Sequence, residues 1–414
     1  MPTNILQQVI TYNESNLALL LNSFCFISTA NMKFERFNDD VPKNLGDTVS
    51  FDLPPRFTTT NSLVVSFQAA VQRVQQLTVN QQASTAYEFT AQQFIFNTRD
   101  YMDKFGKSAI AELGTQVEQD VASLAESNTY RFYGDGLTNI STYLQLASAL
   151  AFFRNYGSAP KNTKGFLSNL TFPQIVNSGL NQFTTDRGNR EAFSWEIGRF
   201  SDCEWYQSNL LKTHIAGSEG VNGTTLTVVS TTLDANGAVI TITFSGTFAA
   251  SDANSVLQYD KFQFSDGVSG QPNMRFLSFI GYVPTSSPVQ FAATANAAST
   301  SGSQVTVSIT PPLQAPAGQT QNINNPIVAG MQVTVLPTHR CGLIYSGDAL
   351  YLAMPKLPEE VPYPTAVTTD PVSGASIRQY YGSLFGQNQR GMVHDIIWGK
   401  TLVPEYAMMV ALPV

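Results

Sequence analysis

Charged side chains are scarce in this sequence. Asp, Glu, Lys and Arg make up 13% of the 414 residues, about half of the share that is usual for globular proteins. The formal net charge is −7, with 23 basic residues. A dedicated nucleic-acid-binding protein needs clustered Lys and Arg, so this class is excluded and only weak, non-specific contact with nucleic acid is expected. A sparsely charged surface is typical of a protein that neighbouring molecules cover.

Cysteine and long apolar runs are also scarce. The three cysteines, Cys25, Cys203 and Cys341, lie far apart and leave an odd thiol, so we expect no disulfide framework and a reducing compartment. The amino-terminal residues lack the basic segment of a secretory signal. The apolar run at residues 143–153 is too short to span a bilayer. No membrane association is predicted.

Few residues could act as bases at neutral pH, because the chain has only His214, His339 and His394. His339 and Cys341 are two residues apart and could share a strand face, so a thiol nucleophile is one hypothesis. A buried structural cysteine is the favoured alternative, since nothing nearby would lower the thiol pKa. His394, beside Asp395, is interpreted as a hydrogen-bonded histidine at a strand edge. We predict no catalytic residue and no enzyme activity.

Metal-binding patterns are missing too, since there is no Cys-x-x-Cys, His-x-x-x-His or EF-hand spacing. Residues 234–237 and 265–267 carry oxygen ligands but are interpreted as turns. Asn236-Gly237, between two alternating apolar runs, predicts a type I′ hairpin turn. No metal, no cofactor and no cofactor-binding residue is predicted.

What the sequence does contain is a β-rich segment, residues 46–96, that runs into a long amphipathic helix. The segment is interrupted by Pro54-Pro55 and has no lysine after Thr48. The apolar spacing predicts a helix over 98–127, about 45 Å long. Gly106 and Gly114 fall on its apolar side and are interpreted as points where another backbone approaches. An extended two-stranded ribbon cannot bury an apolar face by itself. The β-rich segment followed by the long helix therefore suggests a subunit that contacts neighbouring subunits. The helix stripe consists of Ile110, Leu113, Val117, Val121 and Leu124.

The composition changes between residues 217 and 337, where only seven residues are charged. Period-two alternation and frequent turn residues predict an inserted β-barrel or sandwich whose two ends lie close together. Mixed helix and strand patterns flank it, so the fold class is predicted as α+β. The alternating pairs and triplets are Leu226/Val228, Ile240/Ile242/Phe244, Val305/Val307/Ile309 and Met331/Val333/Val335.

In this order, the blocks resemble the major coat proteins of tailed bacteriophages with the Hong Kong 97-type (HK97-type) fold. Within that family the chain is similar to the branch with an inserted β-barrel domain, that of the short-tailed Salmonella phage coat protein. The resemblance covers nearly the whole chain. It is carried by GDTVSFDLPPRF (46–57), LTVNQQ (77–82), YEFT (87–90), GDALYLA (347–353), VHDIIWG (393–399) and PEY (404–406).

The resemblance implies a domain order. It begins with an N-terminal arm (1–45), an E-loop (46–97) and the spine helix of the peripheral domain (98–135). The axial domain begins at 136–216, is interrupted by the insertion at 217–337, and shares residues 338–414 with the rest of the peripheral domain.

The resemblance also implies a function, namely a major capsid protein that self-assembles into the icosahedral shell around the double-stranded DNA of a tailed phage. It would act in the virion after assembly in the bacterial cytoplasm. The implied partners are further copies of itself in hexameric and pentameric capsomers, scaffolding, portal and decoration proteins, and packaged DNA in non-specific contact.

Some members of this family cross-link subunits through a lysine of the E-loop. Arg56 and Arg73 are the only basic residues of that segment here, so a non-covalent shell is expected. A β-rich carbohydrate-binding or adhesin-like surface module is an alternative that suits the Ser-, Thr- and Asn-rich middle. That class does not require the long helix or the lysine-free segment.

Overall fold

The structure is a computed structural model. Most of the N-terminal arm and the predicted helix start at 98–104 lie outside the residues that it describes. The described residues are 17, 20, 24–32, 47–59, 67–69, 71–90, 105–157, 162–177, 198–221, 225–248, 252–279, 281–300, 303–316, 318–347, 349–359, 363, 365–370, 374–383 and 389–414.

Six α-helices lie within the described residues. They are α1 (Cys25–Thr29), α2 (Lys107–Ala122), α3 (Leu124–Ser127), α4 (Tyr143–Asn155), α5 (Thr171–Asn177) and α6 (Ser218–Val221), with a 3₁₀ turn at Pro404–Tyr406.

Strands dominate the described part of the chain, so the predicted α+β class understates its β content. The strands are β1 (Thr48–Leu53), β2 (Arg73–Thr90), β3 (Phe132–Tyr133), β4 (Thr163–Ser168), β5 (Gly198–Phe200), β6 (Cys203–Ser208), β7 (Thr213–His214), β8 (Thr225–Leu233), β9 (Val239–Ser245), β10 (Lys261–Phe264), β11 (Arg275–Leu277), β12 (Pro284–Pro288), β13 (Gln290–Ala293), β14 (Ser299–Thr300), β15 (Gln304–Leu313), β16 (Gln332–Val335), β17 (His339–Tyr345), β18 (Leu350–Ala353), β19 (Thr365–Thr369), β20 (Ser376–Ser383), β21 (Gln389–Leu402) and β22 (Ala407–Leu412).

The chain divides into two compact units. The first comprises Met1–Phe51, Gln75–Ala122 and Gly347–Leu402, and the second Asp52–Val74, Ser123–Ser346 and Val403–Val414. The first unit is built on a sheet of order β1-β2-β21-β20-β19, with β18 paired to β21. Helix α2 is tied to this sheet through Asp120, which accepts hydrogen bonds from Trp398 Nε1 at 2.9 Å and Lys400 Nζ at 2.5 Å.

The extended segment has a partner in its own chain, and in this respect the sequence-based prediction is wrong. Strand β2 pairs antiparallel with β21, in a register that runs from Val79 opposite Gly399 to Thr90 opposite Gln389. One edge of β2 is therefore paired within the subunit from Val79 onward. The described residues of the turn between β1 and β2 (54–59, 67–69, 71 and 72) belong to no strand.

The long helix is shorter in the described residues than predicted. Helix α2 has 16 residues, which corresponds to about 24 Å, and Ser123 separates it from the four-residue α3. The predicted apolar stripe is confirmed, because Ile110, Leu113, Val117 and Val121 are all buried. Periodicity therefore identified the buried face and the last helical residue, Ser127, correctly but not the break at Ser123.

Two residues of α2 hold the start of α1. The buried Glu118 carboxylate accepts hydrogen bonds from the backbone N–H groups of Phe26 at 2.8 Å and Ile27 at 3.1 Å. Burial raises the pKa of Glu118 although these backbone hydrogen bonds lower it. The Phe24 ring occupies the space beside Gly114 where a Cβ would stand. The predicted close approach at Gly114 is thus made by an aromatic ring and not by a backbone.

Replacing Gly399 with alanine is expected to destabilise the first unit by about 2–3 kcal/mol, because an added Cβ overpacks the sheet. That Cβ would lie 2.8 Å from both the Thr78 carbonyl carbon and Val79 Cα, which are backbone atoms that cannot rotate away. Urea unfolding measures the loss. Gly391→Ala in the same strand is the matched control, since its Cβ would meet nothing within 4 Å. Equal stability of the two variants would contradict this account.

The second unit contains a mixed sheet of order β3-β22-β17-β4-β6-β5, with β7 paired to β17. The carboxyl-terminal strand β22 lies between β3 and β17 and is buried along its whole length. The apolar run at residues 143–153 lies in helix α4. Thr142 caps the start of this helix and forms a capping box with Gln145.

The second unit also contains a closed β-barrel. Strands β13, β10, β16, β8, β9 and β15 pair antiparallel in that order, and β15 pairs back to β13. The predicted alternation is confirmed, since Leu226, Val228, Ile242 and Phe244 point into the core. The rings of Phe262 and Phe291 stack there with centroids 5.1 Å apart. Closure of the sheet buries the apolar face of each of the six strands.

The two ends of the barrel segment lie side by side, as predicted. The Ala216 N–H donates to Thr338 Oγ1 at 3.1 Å, and His214 pairs with His339 across β7 and β17. The predicted type I′ turn at Asn236-Gly237 is wrong, because only Gly237 has a positive φ, at 81°. A type I′ turn needs a positive φ at both central residues.

Candidate assembly surface

The turn between β1 and β2 is held in shape by its own side chains. Pro54 and Pro55 follow β1 and cannot donate to a strand ladder. Ten residues apart, Gln68 Oε1 accepts from the Thr58 N–H and hydroxyl at 3.0 Å each, and Gln68 Nε2 donates to the Thr58 carbonyl at 2.6 Å. These bonds join the two limbs of the segment Asp52–Val74, which we call the 52–74 loop.

One side of the 52–74 loop contacts the rest of the second unit. The Arg56 guanidinium lies over the rings of Tyr282 and Phe279, with its Cζ 4.4 and 5.0 Å from their centroids. Arg73, at the start of β2, forms an ion pair with Glu405. The sequence had offered both arginines only as evidence against a lysine cross-link, so their contacts were not predicted.

The described part of the loop also exposes large apolar side chains. Phe67 is 99% exposed and Phe57 is 56% exposed, and Val71 and Val74 are about half exposed. An exposed phenylalanine forgoes roughly 1.5–3 kcal/mol of burial free energy. Several exposed apolar side chains on one loop make it the candidate contact surface of this chain.

The histidine and cysteine candidates lie in the interior. His339 and Cys341 are both buried in β17, where burial lowers the pKa of His339 to about 4 and raises the pKa of the Cys341 thiol to about 12. These shifts keep the thiol protonated at neutral pH, the opposite of what a nucleophile needs. Burial also lowers the pKa of His394 to about 4. The strand-edge interpretation of His394 is wrong, because β21 lies between β2 and β20.

His214 forms a buried charge network that sequence reasoning missed. Its Nδ1 lies 2.8 Å from Glu126 Oε1 and its Nε2 lies 2.8 Å from Asp260 Oδ1. The neighbouring Lys261 is fully buried and donates from Nζ to the Glu126 carbonyl at 2.8 Å. The network joins α3, β7 and the start of β10. No sequence signal could have revealed it, because Glu126 and His214 are 88 residues apart.

The oxygen-rich turns are occupied by their own chain. Asp234 Oδ1 accepts from the N–H groups of Asn236 and Ala238 at 2.8 Å each, and the Asp266 carboxylate pairs with Arg275 at 2.7 Å. Within the described ranges, no group of three His, Cys, Asp or Glu side chains could hold a metal ion. None of the helices in those ranges is long and apolar enough to cross a membrane.

No family model and no curated protein matches this chain. Among solved structures, it is similar to a chain titled "Mycobacterium phage Che8", at 9% identity over 94% of this chain and 90% of that one, with a TM-score of 0.47. A chain from "Capsid of Ralstonia phage GP4" matches at 7% identity over 93% and 87%, with a TM-score of 0.43. A chain from a virus-like particle of Pyrococcus furiosus matches at 6% identity over 97% of both chains, with a TM-score of 0.39.

Proposed function

We propose that this chain is the major capsid protein of a tailed bacteriophage and self-assembles into the icosahedral shell that encloses double-stranded DNA. The observation that carries the proposal is the 52–74 loop, which is anchored through Arg56 and exposes Phe57 and Phe67. A monomeric protein gains nothing from such a loop. A shell subunit does, because repeated heterologous contacts between copies close into rings and then a cage.

The domain order implied by the sequence resemblance forms part of this proposal. Residues 1–45 serve as the N-terminal arm, 46–97 as the E-loop and 98–135 as the spine segment of the peripheral domain. The axial domain begins at 136–216, the insertion comprises 217–337, and residues 338–414 complete the axial and peripheral domains. The barrel strands, which run from Thr225 to Val335, lie within the proposed insertion.

The proposed partners are first of all further copies of this chain, in hexameric and pentameric capsomers. Scaffolding, portal and decoration proteins complete the shell, and packaged DNA contacts it non-specifically, as the net charge of −7 suggests. The protein acts as a structural component of the virion after assembly in the host cytoplasm. The contacts are non-covalent, because the 52–74 loop contains no lysine.

Electron microscopy of the purified protein tests the proposal directly. We expect shells or ring-shaped capsomers, and denaturing gels of the assemblies should show a single band of subunit mass. Small monodisperse particles at every concentration would count against the capsid function and favour a carbohydrate-binding or adhesin-like surface module. Covalent ladders on the gel would contradict the non-covalent shell.

A further inference from the structure

The inserted segment carries a surface that receives the 52–74 loop of the same chain. We call this surface the loop cradle and define it by Ser278, Phe279, Tyr282, Gln319 and Gln321. Its residues come from the connection between β11 and β12 and from the connection that follows β15. None of them belongs to a strand of the closed barrel, so barrel closure does not require these side chains.

The residues of the loop cradle are held in place by contacts that do not involve the 52–74 loop. The Phe279 N–H donates to the Tyr156 carbonyl at 2.8 Å, and the Phe279 side chain belongs to the same apolar core as the barrel strands. The Tyr282 hydroxyl donates to the Gln319 carbonyl at 2.8 Å, which joins the two connections. Two aromatic rings and several carbonyl groups are thereby held at defined positions.

Arg56 matches this surface in its chemistry. Its guanidinium lies over both aromatic rings and donates from Nη1 to the Gln321 carbonyl at 3.3 Å and from Nη2 to the Ser278 carbonyl at 3.4 Å. Among the described residues no carboxylate pairs with Arg56. Cation–π contacts and hydrogen bonds to carbonyl groups fix the orientation of the guanidinium without a strong ion pair.

A second contact lies on the other limb of the loop. Gln319 Nε2 donates to Gln68 Oε1 at 3.0 Å, and Gln68 is the side chain that joins the two limbs through Thr58. Both limbs are therefore attached to the cradle. A cavity of about 340 Å³ lies beside these contacts, and Arg56, Val71, Pro311 and Pro312 are among the residues that line it. The described residues of the loop are thus attached to the cradle at Arg56 and at Gln68.

We propose that the inserted segment serves as an intramolecular cradle, in which Arg56 and Gln68 hold the 52–74 loop so that Phe57 and Phe67 face away from it, ready to contact a second copy of the chain. The consequence for assembly rests on the proposed function. The physical reason is preorganisation, because a loop that is ordered in the free subunit loses less conformational entropy when it binds. Arg56 is accordingly a positioning residue.

Hydrogen exchange tests the cradle on subunits diluted below the concentration at which shells form. In Arg56→Gln and in Tyr282→Leu, the Thr58 amide, whose N–H donates to Gln68 Oε1, is expected to exchange at least about tenfold faster than in the unchanged chain. Arg275→Gln is the matched control, because this arginine lies in β11 next to the cradle but pairs with Asp266. Its loop amides should exchange at the original rate.

Unchanged loop exchange in Arg56→Gln would overturn the cradle. Arg56→Gln decides the question even if Tyr282→Leu unfolds the barrel, which the barrel amides would report. Shell formation is scored separately by electron microscopy, where Arg56→Gln should assemble more slowly. Faster loop exchange in a protein that never forms shells would leave the cradle standing and overturn the capsid function alone.

Discussion

A variant that carries Phe57→Ser and Phe67→Ser is expected to remain a folded subunit and to lose shell assembly. Both rings are largely exposed in the single chain, so their removal takes little packing away from the fold. At an interface each would contribute roughly 1.5–3 kcal/mol of burial free energy, and every subunit repeats the loss. Thermal unfolding measures the fold, and electron microscopy with light scattering measures assembly.

Leu233→Ser is the matched control for this variant. Leu233 is 56% exposed, as Phe57 is, but it lies at the end of β8 on the barrel. It should assemble as the unchanged chain does. If the double variant formed shells at the normal rate and yield, the apolar side of the 52–74 loop would not be an assembly contact.

Point substitutions are sharper here than deletion of the whole extended segment. A deletion that reached residue 86 would remove much of β2, which pairs with β21 from Val79 onward. The strand between β1 and β21 would be lost from the six-stranded sheet, and the first unit is expected to unfold. If the deletion variant failed to assemble, the cause would be an unfolded subunit and not the loss of a contact between subunits.

Replacing His214 with leucine is expected to lower the free energy of unfolding by about 3–5 kcal/mol, the cost of leaving buried charges without their partner. A neutral imidazole carries one N–H, so simultaneous hydrogen bonds to two carboxylates, Glu126 and Asp260, need the imidazolium. Asp260 is fully buried, and water cannot replace the lost donor. Urea unfolding at pH 6 measures the loss.

His339→Leu is the control in the same place, since the two imidazole rings are 5.3 Å apart. This substitution should lower the free energy of unfolding by only about 1 kcal/mol. Among the described residues, the His339 side chain makes one hydrogen bond, with the Pro337 carbonyl at 2.7 Å. An equal loss in the two variants would show that packing and not charge stabilises this region.

The same network predicts how stability varies with pH. Burial alone lowers the pKa of His214, but the hydrogen bonds and charges of Asp260 and Glu126 outweigh it and raise the pKa above its ordinary value. The stabilisation from His214 is therefore complete below about pH 6.5 and is lost as the pH rises through the raised folded value. His339 and Cys341 also face the network, and both stay uncharged near neutrality.

Other groups limit the pH window for that measurement. Burial lowers the pKa of Lys261 to about 8, so its contribution changes above that pH with the opposite sign. Burial also lowers the pKa values of His339 and His394 to about 4, and their contribution is lost as the pH falls from about 6.5 toward 4. Between about pH 6.5 and 8 the stability of the unchanged chain should fall, and His214→Leu should remove that fall.

The sequence predicted what depends on local periodicity. The stripe of Ile110, Leu113 and Val117 and the alternation in β8, β9, β15 and β16 identified buried faces correctly, because burial repeats with the geometry of each element. Glu118 was placed on no face by this reasoning, since a charge at an apolar position is explained only by Phe26 and Ile27, more than 90 residues away. The partner of β2 was missed for the same reason.

The candidate assembly surface was predicted as a segment but not as a geometry. Composition drew attention to residues 46–96, yet it could not separate the paired strand β2 from the unpaired turn. It could not show that Arg56 meets Tyr282 either, because that contact joins residues more than 220 positions apart. Contacts between residues so far apart in the sequence depend on the tertiary fold. Local patterns and residue propensities in a single sequence do not predict them.

The closure of the barrel through β13 and β15 has a consequence for crowding. An open sheet offers unpaired N–H and C=O groups at its edges, and identical molecules brought together can exchange strands or aggregate there. In the ring of six strands each member has a neighbour on both sides. Many copies of this barrel can therefore be present at high local concentration with little aggregation through strand pairing between molecules.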